Sequence, residues 1–183
     1  VRGVRGLAPE VLCVCRGHGG ALTHLDWSLD GSMLVSNCAA REILLWQMPS
    51  GARLPQHAGT MSSARQWAGR SCVLGLRVMG VWAADAGAVR AAHESADGAL
   101  LATADDSGDV KLFHCPCVVG HAPFKRGEGH AGAVSCVRFL GAEHGDGARV
   151  AGEAPPPTLV SSGREDGTLI LWTAVADRRG AGD

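Results

Sequence analysis

Along this chain the apolar residues come in short runs that alternate with polar ones and stop at Gly, Asp, Ser or Pro, the pattern of strands joined by tight turns. Residues 10–16 read as a closing strand, and Gly17-His18 then opens a unit whose inner strand is His24-Leu25-Asp26-Trp27. A turn at Leu29-Asp30-Gly31-Ser32 leads into strands predicted over 32–37 and 42–46, and Pro49-Ser50-Gly51 ends the unit. Residues 51–66 are polar and read as a loop or a weak outer strand. From Trp67 to Trp82 the chain is punctuated by Gly and has no Gly-His opening. The regular pattern returns at 99–106, with a third strand at 110–113, and again at 134–139. Leu159 to Trp172 then reads as strand, acidic turn, strand. The Gly- and Pro-rich stretch 141–157 cannot bury a core and reads as an inserted surface loop, and the polar residues after Asp177 as a frayed tail.

In the last unit, His130, Ser162, Asp166 and Trp172 make a chemically closed set. A buried Asp in a turn needs donors, and a His in the preceding loop, a Ser on one strand and an indole N–H on the next supply them. With Gly129 before the His and Gly167 after the Asp, this is the pattern of a WD-repeat blade, one four-stranded sheet of a β-propeller. Counted back from the Trp, the Ser lies ten and the Asp six positions earlier. The same offsets from Trp46 give Ser36 and Ala40, so the first unit keeps His18, Ser36 and Trp46 and is expected to lack the acid. In the middle unit Phe113 stands at the Trp position, and Asp106, seven residues before it, predicts a one-residue bulge in that turn.

The expected fold is therefore all-β, a propeller fragment of about three four-stranded blades. Residues 1–16 would close a preceding blade, 17–51 form a WD-type blade, 52–117 an atypical blade, 118–176 a WD-type blade with the 141–157 insertion, and 177–183 a tail. Rings of this kind take about four to eight blades of about 40 to 45 residues. The chain also starts at Val1, so it is expected to be part of a longer protein, with open sheet edges in isolation. The His, Ser, Asp and Trp set is read as holding sheets together, with no chemistry of its own.

Seventeen Lys and Arg against 18 Asp and Glu give a formal net charge of −1. The basic residues are scattered, so the sequence carries no footprint for nucleic acid or an anionic membrane. The most apolar stretch, Cys72 to Val89, is broken by Arg77 and Asp85 and does not read as membrane-spanning. Seven cysteines without a secretory signal point to reduced thiols in the cytosol. The pairs Cys13/Cys15 and Cys115/Cys117 put two thiols on one face of a strand, which suits packing, whereas zinc ribbons separate their ligands by two residues. No metal, cofactor or catalytic residue is assigned. An enzyme would have to use Asp105 or Asp106 with His93 or His114 as acid and base, but no nucleophile or ligand cluster stands beside them.

Trp67, then Cys72-Val73-Leu74-Gly75-Leu76, Val78 and Gly80-Val81-Trp82, go beyond a generic propeller. Further matches are Cys15-Arg16-Gly17-His18, Thr23-His24-Leu25-Asp26-Trp27-Ser28, Ser36-Asn37, Glu42-Ile43-Leu44 with Trp46, and Ala104-Asp105-Asp106 with Val110, Leu112, Phe113, Pro116 and Cys117. Together they resemble the echinoderm microtubule-associated protein-like family over residues 12–173. The resemblance implies two fused propellers, the second atypical, with this chain as the C-terminal part of the second. The chain departs from the family at Ala40, where an acid is usual, at Cys115, where an aromatic is usual, and in the length of its insertion. The resemblance further implies a non-enzymatic protein of the cytoplasm and cytoskeleton that binds microtubules or tubulin; the alternative is a WD-repeat scaffold for a non-tubulin partner. Lys125 and Arg126, on an expected exposed loop, are the candidate contact to an acidic partner surface.

Overall fold

The computed structural model describes residues 9–56, 67–82, 88–140 and 156–175. Apart from residues 156 and 157, the expected insertion and the tail lie outside the described residues. The chain divides into two units, Val1–Ala68 and Gly69–Asp183.

The first unit holds one antiparallel sheet of β1 (Leu22–Trp27), β2 (Met33–Cys38), β3 (Ile43–Gln47) and β4 (Ala52–Leu54), in that order. Met33, Val35, Ser36, Asn37 and Cys38 of β2 are buried, as are Leu44, Leu45 and Trp46 of β3. Apolar side chains on both faces mark these as inner strands covered on two sides. Residues 9–18, expected to contain a closing strand, lie outside every strand. The outer strand left open by the sequence exists as β4, on the edge of β3.

The second unit holds two sheets. One is β5 (Val89–Glu94), β6 (Leu100–Asp105), β7 (Val110–His114) and β8 (Phe124–Gly127), paired in sequence order. The other is β9 (Val134–Phe139), β10 (Thr158–Gly163) and β11 (Leu169–Thr173), with β10 in the middle and three strands among the described residues. Ala91, Ala102, Ala104 and Val110 of the first pack against Val134, Val137, Phe139 and Leu159 of the second. The small residues of β5 and β6 let the β9 side chains come close, as face-to-face sheets require. On the other face, Ala92, Leu101 and Phe113 pack with Val73, Val78, Val81 and Cys117. The Gly-punctuated stretch thus covers a sheet, using a 3-10 turn at Met79–Val81. At Gly80 a Cβ would stand 2.9 Å from the Cys117 carbonyl oxygen, so only glycine fits there.

β8 runs through residues expected to form a loop between blades. It is a strand because Phe124 pairs with Phe113 across the ladder, ring centroids 5.3 Å apart, and Arg126 bonds Asp109 at 2.9 Å. The sheet that contains Phe113 therefore extends to Gly127.

A repeated turn sets the phase of two sheets. Ser28-Leu29-Asp30-Gly31 joins β1 to β2 and Ser95-Ala96-Asp97-Gly98 joins β5 to β6. In each, the Ser hydroxyl donates to the Asp carboxylate (2.5 Å) and accepts the N–H five residues on (2.9 Å), from Met33 or Leu100. Each Gly has φ near +70° (68° and 70°), which explains the residue type.

Candidate functional site

Strand pairing supplies a ruler for comparing the three sheets. Trp46 faces Leu34, Phe113 faces Leu101 and Trp172 faces Leu159. Two residues beyond each of these Leu partners stand Ser36, Thr103 and Ser161, all buried. Four beyond stand Cys38, Asp105 and Gly163, whose N–H groups donate to the carbonyls of Glu42, Asp109 and Thr168. These positions are structurally equivalent, whatever their spacing in sequence.

In the last sheet the Trp172 indole N–H donates to Ser161 Oγ at 2.8 Å, and Ser161 Oγ lies 2.7 Å from His130 Nε2. His130 Nδ1 lies 3.0 Å from Asp166 Oδ2. A carboxylate only accepts, so neutral His130 carries its proton on Nδ1, and the Ser161 O–H donates to Nε2. This corrects the sequence expectation: His130, Asp166 and Trp172 are brought together, but Ser162 is not the serine that joins them. Ser162 Oγ bonds Ser135 Oγ at 3.0 Å instead. The turn between Gly163 and Thr168 is one residue longer than its counterparts, Cys38 to Glu42 and Asp105 to Asp109. Counting back ten from Trp172 therefore falls one residue short, on the opposite face of the strand.

Asp166 also accepts the N–H groups of Thr168 and Ala131, each at 3.0 Å. The Thr168 N–H first, then the Ala131 N–H, the His130 ring and the Thr168 hydroxyl, hold its carboxyl far below the ordinary range against the opposing effect of burial. Gly163 makes room for this cluster, since a Cβ there would stand 2.7 Å from His130 Nδ1 and overlap the Asp166 carboxylate.

The first sheet repeats the arrangement with an acid from elsewhere. The Trp46 N–H donates to Ser36 Oγ at 2.7 Å, and Ser36 Oγ lies 2.6 Å from His18 Nε2. His18 Nδ1 faces Glu42 Oε2 at 3.3 Å, and Glu42 accepts the Gly19 N–H at 2.8 Å. Asp166 accepts in the same way from His130 and from the residue after it. The acid expected to be missing at Ala40 is therefore present as Glu42, reaching back from the strand start instead of standing in the turn. No sequence offset from Trp46 pointed to it. The Gly19 N–H, the Cys38 thiol and His18 lower the Glu42 pKa.

The middle sheet has no such chain, because Phe113 offers no N–H. Its turn has the length of the first sheet's and the β6–β7 ladder is unbroken, so the bulge predicted from Asp106 is absent. The acid of its turn is Asp105, which stands at the position of Cys38 and Gly163 and is 2% exposed. It bonds Lys111 Nζ at 2.7 Å and accepts from the Ser107 hydroxyl at 2.6 Å and the N–H groups of Ser107 (3.0 Å) and Asp109 (3.2 Å). Burial opposes its ionisation, but Lys111, Ser107 and the Asp109 N–H outweigh burial and keep the pKa low.

None of the four groups considered for acid–base chemistry forms a joint site. Asp105 is bound into its turn, Asp106 forks with Arg90 on the surface, and His93 Nδ1 accepts the Phe139 N–H at 3.1 Å. His114 is exposed at the end of β7. Lys125 and Arg126 lie on β8, not on a loop, and Arg126 pairs with Asp109 (2.9 Å) and Glu128 (3.2 Å). The seven cysteines are free thiols. Burial, helped by Glu94, pushes Cys115 up to about 11 despite the neighbouring Arg77.

Asp166, Glu42 and Asp105 share a depressed folded-state pKa, which sets the sign of an acid effect. Each contributes stability above the ordinary carboxylate range, and that contribution is lost as pH falls through the folded values. Urea midpoints should hold from neutrality to about pH 5 and then drop steadily toward about pH 2. A midpoint unchanged across that window would show that these carboxylates are not the acceptors described.

Antiparallel sheets tied by His–Ser–Trp hydrogen bonds and by aromatic third strands define blades of a WD-type β-propeller. The chain matches the family model described as the echinoderm microtubule-associated protein second beta-propeller over residues 8–174. It is 36% identical over 160 residues to echinoderm microtubule-associated protein-like 3 of Mus musculus, covering 86% of this chain and 16% of that protein. To echinoderm microtubule-associated protein-like 4 of Homo sapiens it is 34% identical over 163 residues, 88% of this chain and 15% of that protein. The chain belongs to the echinoderm microtubule-associated protein-like family, and spans about a sixth of the length of these relatives. The designed protein Ika4 shares the fold, with a TM-score of 0.56 at 18% identity over 91% of this chain and 99% of that one.

Proposed function

We propose that this chain is a propeller portion of a non-enzymatic cytoskeletal protein of the cytoplasm that binds microtubules or tubulin. The observation that carries the reading is the family match over residues 8–174, a span that includes all three sheets. The geometry supports it from the other side. The polar side chains with the most distinctive chemistry are consumed in holding sheets together, which leaves the rigid exposed surfaces to work as a binding platform. Lys125, exposed on β8, is the contact we assign to an acidic partner surface. Arg126 has a second role, holding Asp109 at the base of the β6–β7 turn.

The full-length protein should co-sediment with microtubules or co-elute with soluble tubulin at low salt, and added salt should weaken binding through the exposed charges. Lys125→Glu should reduce binding, with the melting temperature measured alongside. Arg126→Glu should lower both, since it sets like charges side by side at Asp109. Full-length protein that ignores tubulin at low salt, while recovering an unrelated partner, would favour the general scaffold.

A further inference from the structure

His18, Cys38 and Glu42 each offer one ligand atom, and the three atoms lie within 4.8 Å of one another. His18 Nδ1 and Glu42 Oε2 are 3.3 Å apart, and Cys38 Sγ and Glu42 Oε2 are 3.2 Å apart. Ordinary zinc bond lengths place the corners of a tetrahedral N, S, O set about 3.4 to 3.6 Å from one another. We propose that these three side chains form a zinc site in the first sheet, with water as the fourth ligand. This goes beyond the tubulin reading and does not depend on it.

Charge and support both favour a cation here. A Cys thiolate, a Glu carboxylate and a neutral His bring two negative charges to a divalent ion, so the occupied site is neutral, which suits a cluster that includes a buried thiol. The mixed sulfur, nitrogen and oxygen donors suit zinc better than calcium or magnesium, which take oxygen alone. His18 is oriented from behind, because its Nε2 lies 2.6 Å from Ser36 Oγ, itself fixed by the Trp46 indole. Ligand histidines are held in this way by a partner on the other ring nitrogen. Glu42 is 40% exposed, which gives the ion an entry path and room for water.

Protons balance simply. The metal replaces the hydrogen bond between His18 Nδ1 and Glu42, the imidazole proton moves to Nε2 and donates to Ser36 Oγ, whose own hydroxyl hydrogen turns off the ring, and the thiol proton of Cys38 leaves to solvent. The last sheet shows why the site is particular to the first. At the position equivalent to Cys38 it has Gly163, and its acid stands in the turn, so it offers the His and carboxylate without a thiol.

Cobalt(II) titrated into the full chain should bind one ion and develop the near-ultraviolet thiolate-to-cobalt band, which zinc then abolishes. Cys38→Ser should remove the band and weaken zinc binding by at least about 100-fold, beyond what the loss of a supporting residue costs. The double variant Cys13→Ser/Cys15→Ser, which leaves the first sheet intact, should keep both. Glu42→Gln should weaken zinc and retain the band. No one-to-one band in the wild type, a band that survives Cys38→Ser, or one lost in the double variant would overturn the site.

Discussion

Asp105→Ala should destabilise the second unit by about 3 to 5 kcal/mol, the usual cost of removing one partner from a buried ion pair. Asp105 is 2% exposed and its carboxylate collects four donors, among them the Lys111 ammonium, itself only 18% exposed. Truncation would leave that charge and two backbone N–H groups without their acceptor, and would leave the Ser107 hydroxyl only its longer bond to Asp109 Oδ2 at 3.3 Å. Asp105→Asn keeps one carbonyl for the backbone donors and should cost less. The neighbouring Asp106→Ala is the control. Its fork with Arg90 is exposed, and such pairs contribute up to about 1 kcal/mol. Urea denaturation of the three variants measures the difference, and equal losses at 105 and 106 would contradict the assignment of Asp105 as the structural acid.

Ser161→Ala should cost about 2 to 4 kcal/mol, because the loss of one buried oxygen strands two groups that face it, each worth about 1 to 3 kcal/mol when unsatisfied. These are the Trp172 indole N–H and His130 Nε2, the His130 side chain being 0% exposed. Ser162→Ala should cost about 0.5 kcal/mol or less, since its hydroxyl bonds only the exposed Ser135. A reversed order of the two midpoints would mean that the strand register is off by one, moving every side chain of β10 to the other face.

The contrast between these serines explains what the sequence could reveal. Alternating apolar runs and tight turns placed the inner strands well, because burial on a pleated sheet dictates that alternation. His18, Ser36 and Trp46 were legible from fixed spacing because the first hairpin has the ordinary length. The same rule failed at Ser162, where the turn carrying Asp166 and Gly167 is a residue longer and the chemistry follows the ladder instead of the count. Glu42 escaped for a related reason. The donors on His18 and Gly19 need an acid in space, and a longer side chain from the strand start reaches the place that a turn Asp would occupy.

Two other features were visible in principle. The Ser-x-Asp-Gly turn occurs at 28–31 and again at 95–98, and its second copy would have aligned Asp105 rather than Asp106 with the first sheet. β8 was harder to read, because Phe124-Lys125-Arg126-Gly127 is short and mostly exposed. Its pairing rests on Phe113 and Asp109, contacts that a local pattern does not contain.

The claim on which the structural account stands is that a His–Ser–Trp chain locks the first and last sheets, through Ser36 and Ser161. Hydrogen exchange at the indole N–H groups of tryptophan-labelled protein reads it directly. Trp46 and Trp172 should exchange slowly. Ser161→Ala should accelerate Trp172 alone, Ser36→Ala should accelerate Trp46 alone, and Ser162→Ala should leave both protected. Fast exchange at Trp172 in the wild type, or acceleration by Ser162→Ala with none by Ser161→Ala, would contradict it.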